Sequence, residues 1–134
     1  MSIADLRPAL RAFLLADAPI SAAVGGARIF PVVLQQGERG ASLVYNLVSE
    51  ATDYHLRGPS GLVQVRMQID AYAPTPNDAW NLAGLVKGRL SGYRGLMGSI
   101  TVQGVFADVA RADYHDGPKL HRVNRDFMIH YGEL

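Results

Sequence analysis

From Leu62 to Ala73 the residues alternate in character. Val63, Val65, Met67, Ile69 and Ala71 fall on one side, and Leu62, Gln64, Arg66, Gln68, Asp70 and Tyr72 on the other. A period of two marks a strand with one buried face. A helix signal follows directly. Thr75 suits an N-cap, Pro76 the first helical position, and Asp78 the positive end of the helix dipole. Ala79, Leu82, Ala83, Val86 and Leu90 then recur at helical spacing, so one stripe is apolar. A strand and a helix with one greasy side each can share a core, and Gly58 to Tyr93 therefore organises the rest of the chain. Trp80 lies beside the apolar stripe and reads as a core residue, with a protein-contact anchor as the alternative.

A length of 134 residues suits one domain, expected here over 1–134. The apolar share of 49% is ordinary for a globular chain, which counts against wholesale disorder. Thirteen basic and twelve acidic residues leave a formal charge of +1. A dedicated nucleic-acid binder carries a larger basic excess. The chain has no cysteine, which excludes disulfides, thiolate catalysis and cysteine-based zinc sites. No stretch approaches the roughly 20 apolar residues that span a bilayer, and the first residues lack the pattern of a secretion signal. The expectation is a soluble protein made in the cytoplasm, with no membrane partner.

In chain order, Ser2 and Asp5 read as a capping pair ahead of an apolar stripe at Ile3, Leu6, Leu10, Phe13 and Leu14. Pro8 sits late for a first turn, so the helix starts nearer Leu6 or bends there. Asp17-Ala18-Pro19 ends it, and Ile20 to Val24 form one more short turn before Gly25-Gly26. Ala27 to Val33 has strand composition, but Pro31 places it at an edge or a bend. Ser42 to Ser49 alternates with Leu43, Tyr45 and Leu47 on one face. Glu50 to Gly61 reads as a long polar connection whose tip stands clear of the core. Gly92 to Gly98 reads as a Gly-rich connector. Two strands close the chain: Val102 to Tyr114, with Gly104 a bulge site, and Leu120 to Tyr131, whose apolar face Arg125 interrupts. His115 to Pro118 is the turn between them.

These elements predict an α+β fold, an antiparallel sheet of four to five strands with two helices packed on one face. The other face carries Gln64, Arg66, Gln68 and Asp70. Such a row is normally a solvated face, though in an oligomer it can meet a neighbour or a lumen.

A search for chemistry finds little. Gly84 to Gly88 lacks the length and the Lys-Ser/Thr pair of a P-loop, and Gly58 to Gly61 lacks the spacing of a nucleophile elbow. His115 and His121 flank one turn near Asp113 and Asp116, but no metal-ligand signature is present. No carboxylate pair is placed for acid/base work. The expectation is no catalytic residue, no metal and no cofactor.

Taken together, the segments resemble the tail-completion (tail-terminator) proteins of long-tailed bacteriophages, prophages and gene transfer agents. The features that carry the resemblance run nearly end to end. They are the first helix leading into ADAPISAAVGGARIFP, the strand ASLVYNLVS and the stretch GPSGLVQVRMQIDAYAPT. Behind these come the helix with Asp78-Ala79, Tyr93-Arg94-Gly95, and the final RVNRDFMIHY. Many relatives carry proline where this chain has Ala41-Ser42. The resemblance implies a non-enzymatic virion protein. Such proteins form a homo-oligomeric ring, typically hexameric, at the head-proximal end of the tail tube. The ring stops tube polymerisation and offers the docking surface for the head connector, and DNA passes through its lumen without specific binding. Partners would then be the tail-tube protein, the head-tail connector protein and further copies of the chain. Another head-tail connector, a tail-tube subunit, or a small-ligand enzyme or binding module are the alternatives. Candidate contacts are Asp53, Tyr54, His55 and Arg57 on the long connection, Arg66, Gln68 and Asp70 on the polar face, and His115 and Asp116 at the last turn.

Overall fold

The structure is a computed structural model that describes residues 5–34, 37, 40–55, 58–116 and 119–132, with the backbone alone described at 52–62. In chain order come helices α1 (Leu6–Leu15) and α2 (Ala18–Ala23), strands β1 (Ile29–Pro31), β2 (Ser42–His55) and β3 (Gly58–Ala73), helix α3 (Pro76–Leu90), and strands β4 (Gly95–Met97), β5 (Ile100–His115) and β6 (Leu120–Gly132). One sheet holds all six strands in the order β1-β2-β3-β6-β5-β4. The fold is α+β as expected, but with six strands rather than four or five and three helices rather than two. It is also not wholly antiparallel, because β1 runs parallel to β2.

Capping decides where the helices begin. The α1 helix starts at Leu6, and its N-cap is Asp5, whose side chain accepts from the Arg7 amide. The Ser2 cap lies outside the described residues. Asp17 caps α2 by accepting from the Ile20 amide. Pro19 sits in the first turn of that helix, where a missing N–H costs nothing. Thr75 caps α3 and accepts from the Asp78 amide, with Pro76 next to it, as the sequence indicates. Gly92 adopts φ 77° just past the end of α3 and donates its amide to the Val105 carbonyl. A side chain there would be strained, so glycine lets the helix stop and the chain turn onto β5.

The alternation in β3 holds. Val63, Val65, Met67, Ile69 and Ala71 are buried on the helix side, joined by Val123, Phe127, Ile129 and Tyr131 of β6 and by Ala79, Leu82, Ala83, Val86 and Leu90 of α3. Arg89 ties α3 to α1. Its guanidinium stacks 3.7 Å over the Phe13 ring and donates to the Phe13 carbonyl at 3.0 and 3.2 Å. Arg125 does fall on the apolar face, opposite Ile69, and is half-buried there. It reaches out to the Asp108 carbonyl at 2.7 Å, where β5 bulges between Ala107 and Ala110. Gly104 lies at a second register shift in β5. Trp80 departs from its expected core role and is exposed, because α3 turns its apolar stripe one residue away. None of the helices formed by described residues is long and apolar enough to cross a membrane.

Two connections read from sequence as loops contain strand. The Glu50 to Gly61 segment is mostly ladder, since β2 runs on to His55 and β3 starts at Gly58, with rungs Tyr54↔Pro59 and His55↔Gly58. The pairing of β3 with β6 stops at Leu62↔Gly132. Among the described residues, the β2–β3 ladder thus runs on past the last β3–β6 rung. Within the Gly92 to Gly98 connector, Gly95–Met97 pairs with β5.

Candidate functional site

The side of the sheet away from the helices carries most of the candidate residues. Along β3 it presents Gln64, Arg66, Gln68, Asp70 and Tyr72. Beside them on β6 stand His130, Met128, Asp126, Asn124 and Arg122, each directly opposite its β3 partner. Opposed residues of neighbouring strands share a face, so register alone brings these side chains together.

Two charge clusters result. In the middle of the face Arg66 donates to Asp126 at 2.9 Å and to Asp108 of β5 at 3.2 Å. Both acids stabilise the guanidinium cation and raise its pKa, Asp126 more than Asp108. Nearer the β5–β6 turn, Arg122 clasps Asp113 through two hydrogen bonds, one of them 2.9 Å from Nε to Oδ1. The two-pronged geometry fixes both side chains. It holds the Asp113 carboxyl below its ordinary range and raises the Arg122 pKa. Arg122 Nη1 also lies 3.8 Å from Asp70, which accepts a 2.9 Å bond from Gln68 Nε2. Asp70 is buried all the same, and loss of solvent outweighs these partners and raises its pKa.

The expected solvated row is thus corrected at one end. Val44, Tyr72 and Leu120 form a small buried cluster there with Phe30 and Leu34 against it. Burial raises the Tyr72 pKa as well. The His115 ring meets Tyr72 edge-on at 5.5 Å and lies 3.9 Å from Asp113. Asp116 is exposed in the turn. Arg66, Gln68, Asp70 and His115 therefore share one continuous surface.

The other candidates stand apart. The backbone of Asp53, Tyr54 and His55 forms the last rungs of β2, but their side chains and all of Arg57 lie outside the described residues. Those rungs are at the end of the sheet opposite the β5–β6 turn. Asp108, Asp113, Arg122 and Asp126 were not among the sequence candidates. The alternation Arg122, Asn124, Asp126 along β6 is the signal that finds three of the face's polar residues. Among the described residues, no three His, Asp or Glu side chains cluster as metal ligands.

The same fold occurs in a chain of the virion of a native gene transfer agent particle. The two superpose with a TM-score of 0.78 over 95% of this chain and 94% of that one, at 19% sequence identity. At that identity the likeness speaks for the fold. No curated protein sequence matches. The chain's own sequence places it in a class, the structural proteins of phage-type virion tails. Within that class it belongs to the family of tail completion protein gp17, whose profile matches residues 8–132.

Proposed function

We propose that the chain, acting as one domain, forms a ring at the head-proximal end of a phage-type tail tube. The ring stops tube growth and presents the surface on which the head connector docks. The role is structural, not catalytic. The observation that carries this reading is the family match over residues 8–132. The geometry adds support. A terminator meets two different partners along one axis, and the two candidate contact regions lie at opposite ends of the sheet. The hairpin tip with Asp53, Tyr54, His55 and Arg57 serves one partner, and the turn with His115 and Asp116 the other. Arg66, Gln68 and Asp70 face a neighbouring copy or the lumen. A net charge of +1 suits a channel that lets DNA pass without gripping phosphates.

The test replaces Asp53, Tyr54 and Arg57 together with Ala or Ser, then measures folding and assembly separately. A normal melt with tails that fail to terminate or to join heads supports the reading. Normal assembly places the contacts elsewhere. A ring repeated along the tube, rather than seated at its end, assigns the chain to the tube.

A further inference from the structure

β1 stops sooner than its composition suggests. Ala27 to Val33 reads as strand, yet the ladder to β2 ends at Pro31↔Tyr45. The next residue, Val32, sits at φ 67°, and the Val33 amide donates back to the Pro31 carbonyl at 2.7 Å. A bond between residues two apart, closed about a positive φ, is the rare and strained form of the γ-turn. A branched side chain makes that region costlier still, whereas glycine or asparagine adopts it with less strain. The turn also bares both valines: Val32 is 62% exposed and Val33 68%.

The flanks hold the turn. Phe30 and Leu34 pack against the small cluster of Val44, Tyr72 and Leu120, on the face away from the helices. Against that anchor stands an unused continuation of the ladder. The Leu43 amide donates to the Arg28 carbonyl and the Val32 amide to the Tyr45 carbonyl, both at 2.9 Å, so the β2 backbone turns toward β1 at every second residue. The next such residue is Leu47. With Val32 rotated into the extended region, Val32 would stand opposite Asn46 and Val33 opposite Leu47, and the Leu47 amide would donate to the Val32 carbonyl. Pairing on the other side of β2 is regular as far as Leu47, so the bulge beyond it does not break this register. Val33 would then lie on the helix side beside Leu47, which already packs on the main core. The chain has the slack. Returning from the level of Leu47 to Ser42 takes about five residues of strand, or roughly 17 Å, and residues 34–41 reach up to roughly 26 Å.

We propose that Val32 is the hinge of a strap with two positions: the strained turn, and a closed form in which β1 runs on to Val33 along β2. Each form has one apolar anchor, Leu34 in the turn and Val33 when closed. Each also has one backbone bond that the other lacks, Val33 to Pro31 in the turn and Leu47 to Val32 when closed. Strain at Val32 therefore weighs heavily in the balance, and it favours closing. Closed, the strap covers Val33 and shortens the bare margin of β2. Open, it leaves two valines and the Leu47 backbone uncovered. The strap thus sets how much of that margin is available to a partner.

The absence of native cysteine makes cross-linking in the isolated chain a clean test. Val33→Cys with Leu47→Cys sets two thiols opposite each other when the strap closes, at a separation that a disulfide bridges. The double variant is oxidised and the rate of cross-linking within one chain is followed on non-reducing gels, with melts confirming the fold. Adding Val32→Gly or Val32→Asn makes the turn easier, and the asparagine keeps a side chain at the hinge. Either addition should slow cross-linking by about 5- to 150-fold, the shift that strain of this size imposes on a two-state balance. A second measurement needs no cysteine. NMR relaxation dispersion on the unsubstituted chain should show exchange at the Val33 and Leu47 amides that Val32→Gly removes, while Leu43, bonded to Arg28 in both forms, stays flat. A cross-linking rate that neither substitution at Val32 changes overturns the proposal. So does flat dispersion at Val33 and Leu47 in the unsubstituted chain.

Discussion

Phe127→Ala tests which face of the sheet is the core. Phe127 is 1% exposed and sits in the middle of β6, flanked on the helix side by Met67 of β3 and Ala107 of β5. Removing its ring forfeits the transfer energy of a large apolar group and leaves a cavity between strands that cannot collapse. The expected cost is about 3–5 kcal/mol. For 134 residues the unfolding entropy near the melting point is about 0.28 kcal/mol/K, so Tm should fall by about 11–18 °C. Ile69→Ala on the neighbouring strand should cost about 2–5 kcal/mol. The control is Phe106→Ala, which is exposed on the opposite face and should change stability by less than about 0.5 kcal/mol. Thermal unfolding of the isolated chain, followed by circular dichroism, reads all three. If Phe106→Ala lowers Tm and Phe127→Ala does not, the strand phase is inverted, because a one-residue slip swaps every side chain between faces.

Thr75→Ala removes the cap of α3 and should cost about 1 kcal/mol, read as a Tm loss of about 3–4 °C. Trp80→Ser should leave the melt within about 2 °C, whereas Leu82→Ala, two residues on and buried on the opposite side of the helix, should cost about 2–5 kcal/mol. Asp113→Asn should lower Tm at pH 7, and the gap should close in acid. The Asp113 pKa is depressed by Arg122, so its contribution is present above the ordinary carboxylate value and lost as pH falls through the depressed one. Asp70→Asn should do the reverse. Burial raises the Asp70 pKa, so the ionised group costs stability above that value, and the variant should melt higher than wild type at pH 7 and level with it in acid. Matching pH profiles for the two variants would contradict the assigned environments.

What could be read in advance followed periodicity. The β3 faces, the α3 stripe and the Thr75 cap each rest on a pattern within about a dozen residues, where local physics decides the outcome. The extra length of β2 did not, because Glu50 to His55 (EATDYH) shows no apolar alternation in the sequence, and its strand is defined by its ladder to β3. One sequence signal was there. The tripeptide Asp-Tyr-His closes β2 and β5, at 53–55 and at 113–115, and each copy is soon followed by Gly-Pro. β4 was hidden because three residues in a Gly-rich stretch carry no period. The face residues Arg66, Gln68 and Asp70 were visible along one strand, but Arg122, Asp126 and Asp108 come from strands remote in sequence. Only the register of β3, β6 and β5 brings them into contact. The burial of Asp70 and Tyr72 has the same origin, since Val44 and Leu120 come to lie beside Tyr72 through pairing.

The proposed terminator role makes the point at which tail growth stops depend on this chain. Particles made without this chain can be imaged by electron microscopy and their tail lengths measured, with the intact chain supplied in trans as a control. Tubes that overrun their normal length, and heads left unattached, are the expected result, restored to uniform joined tails on complementation. Tails of normal length already joined to heads would contradict the proposed role.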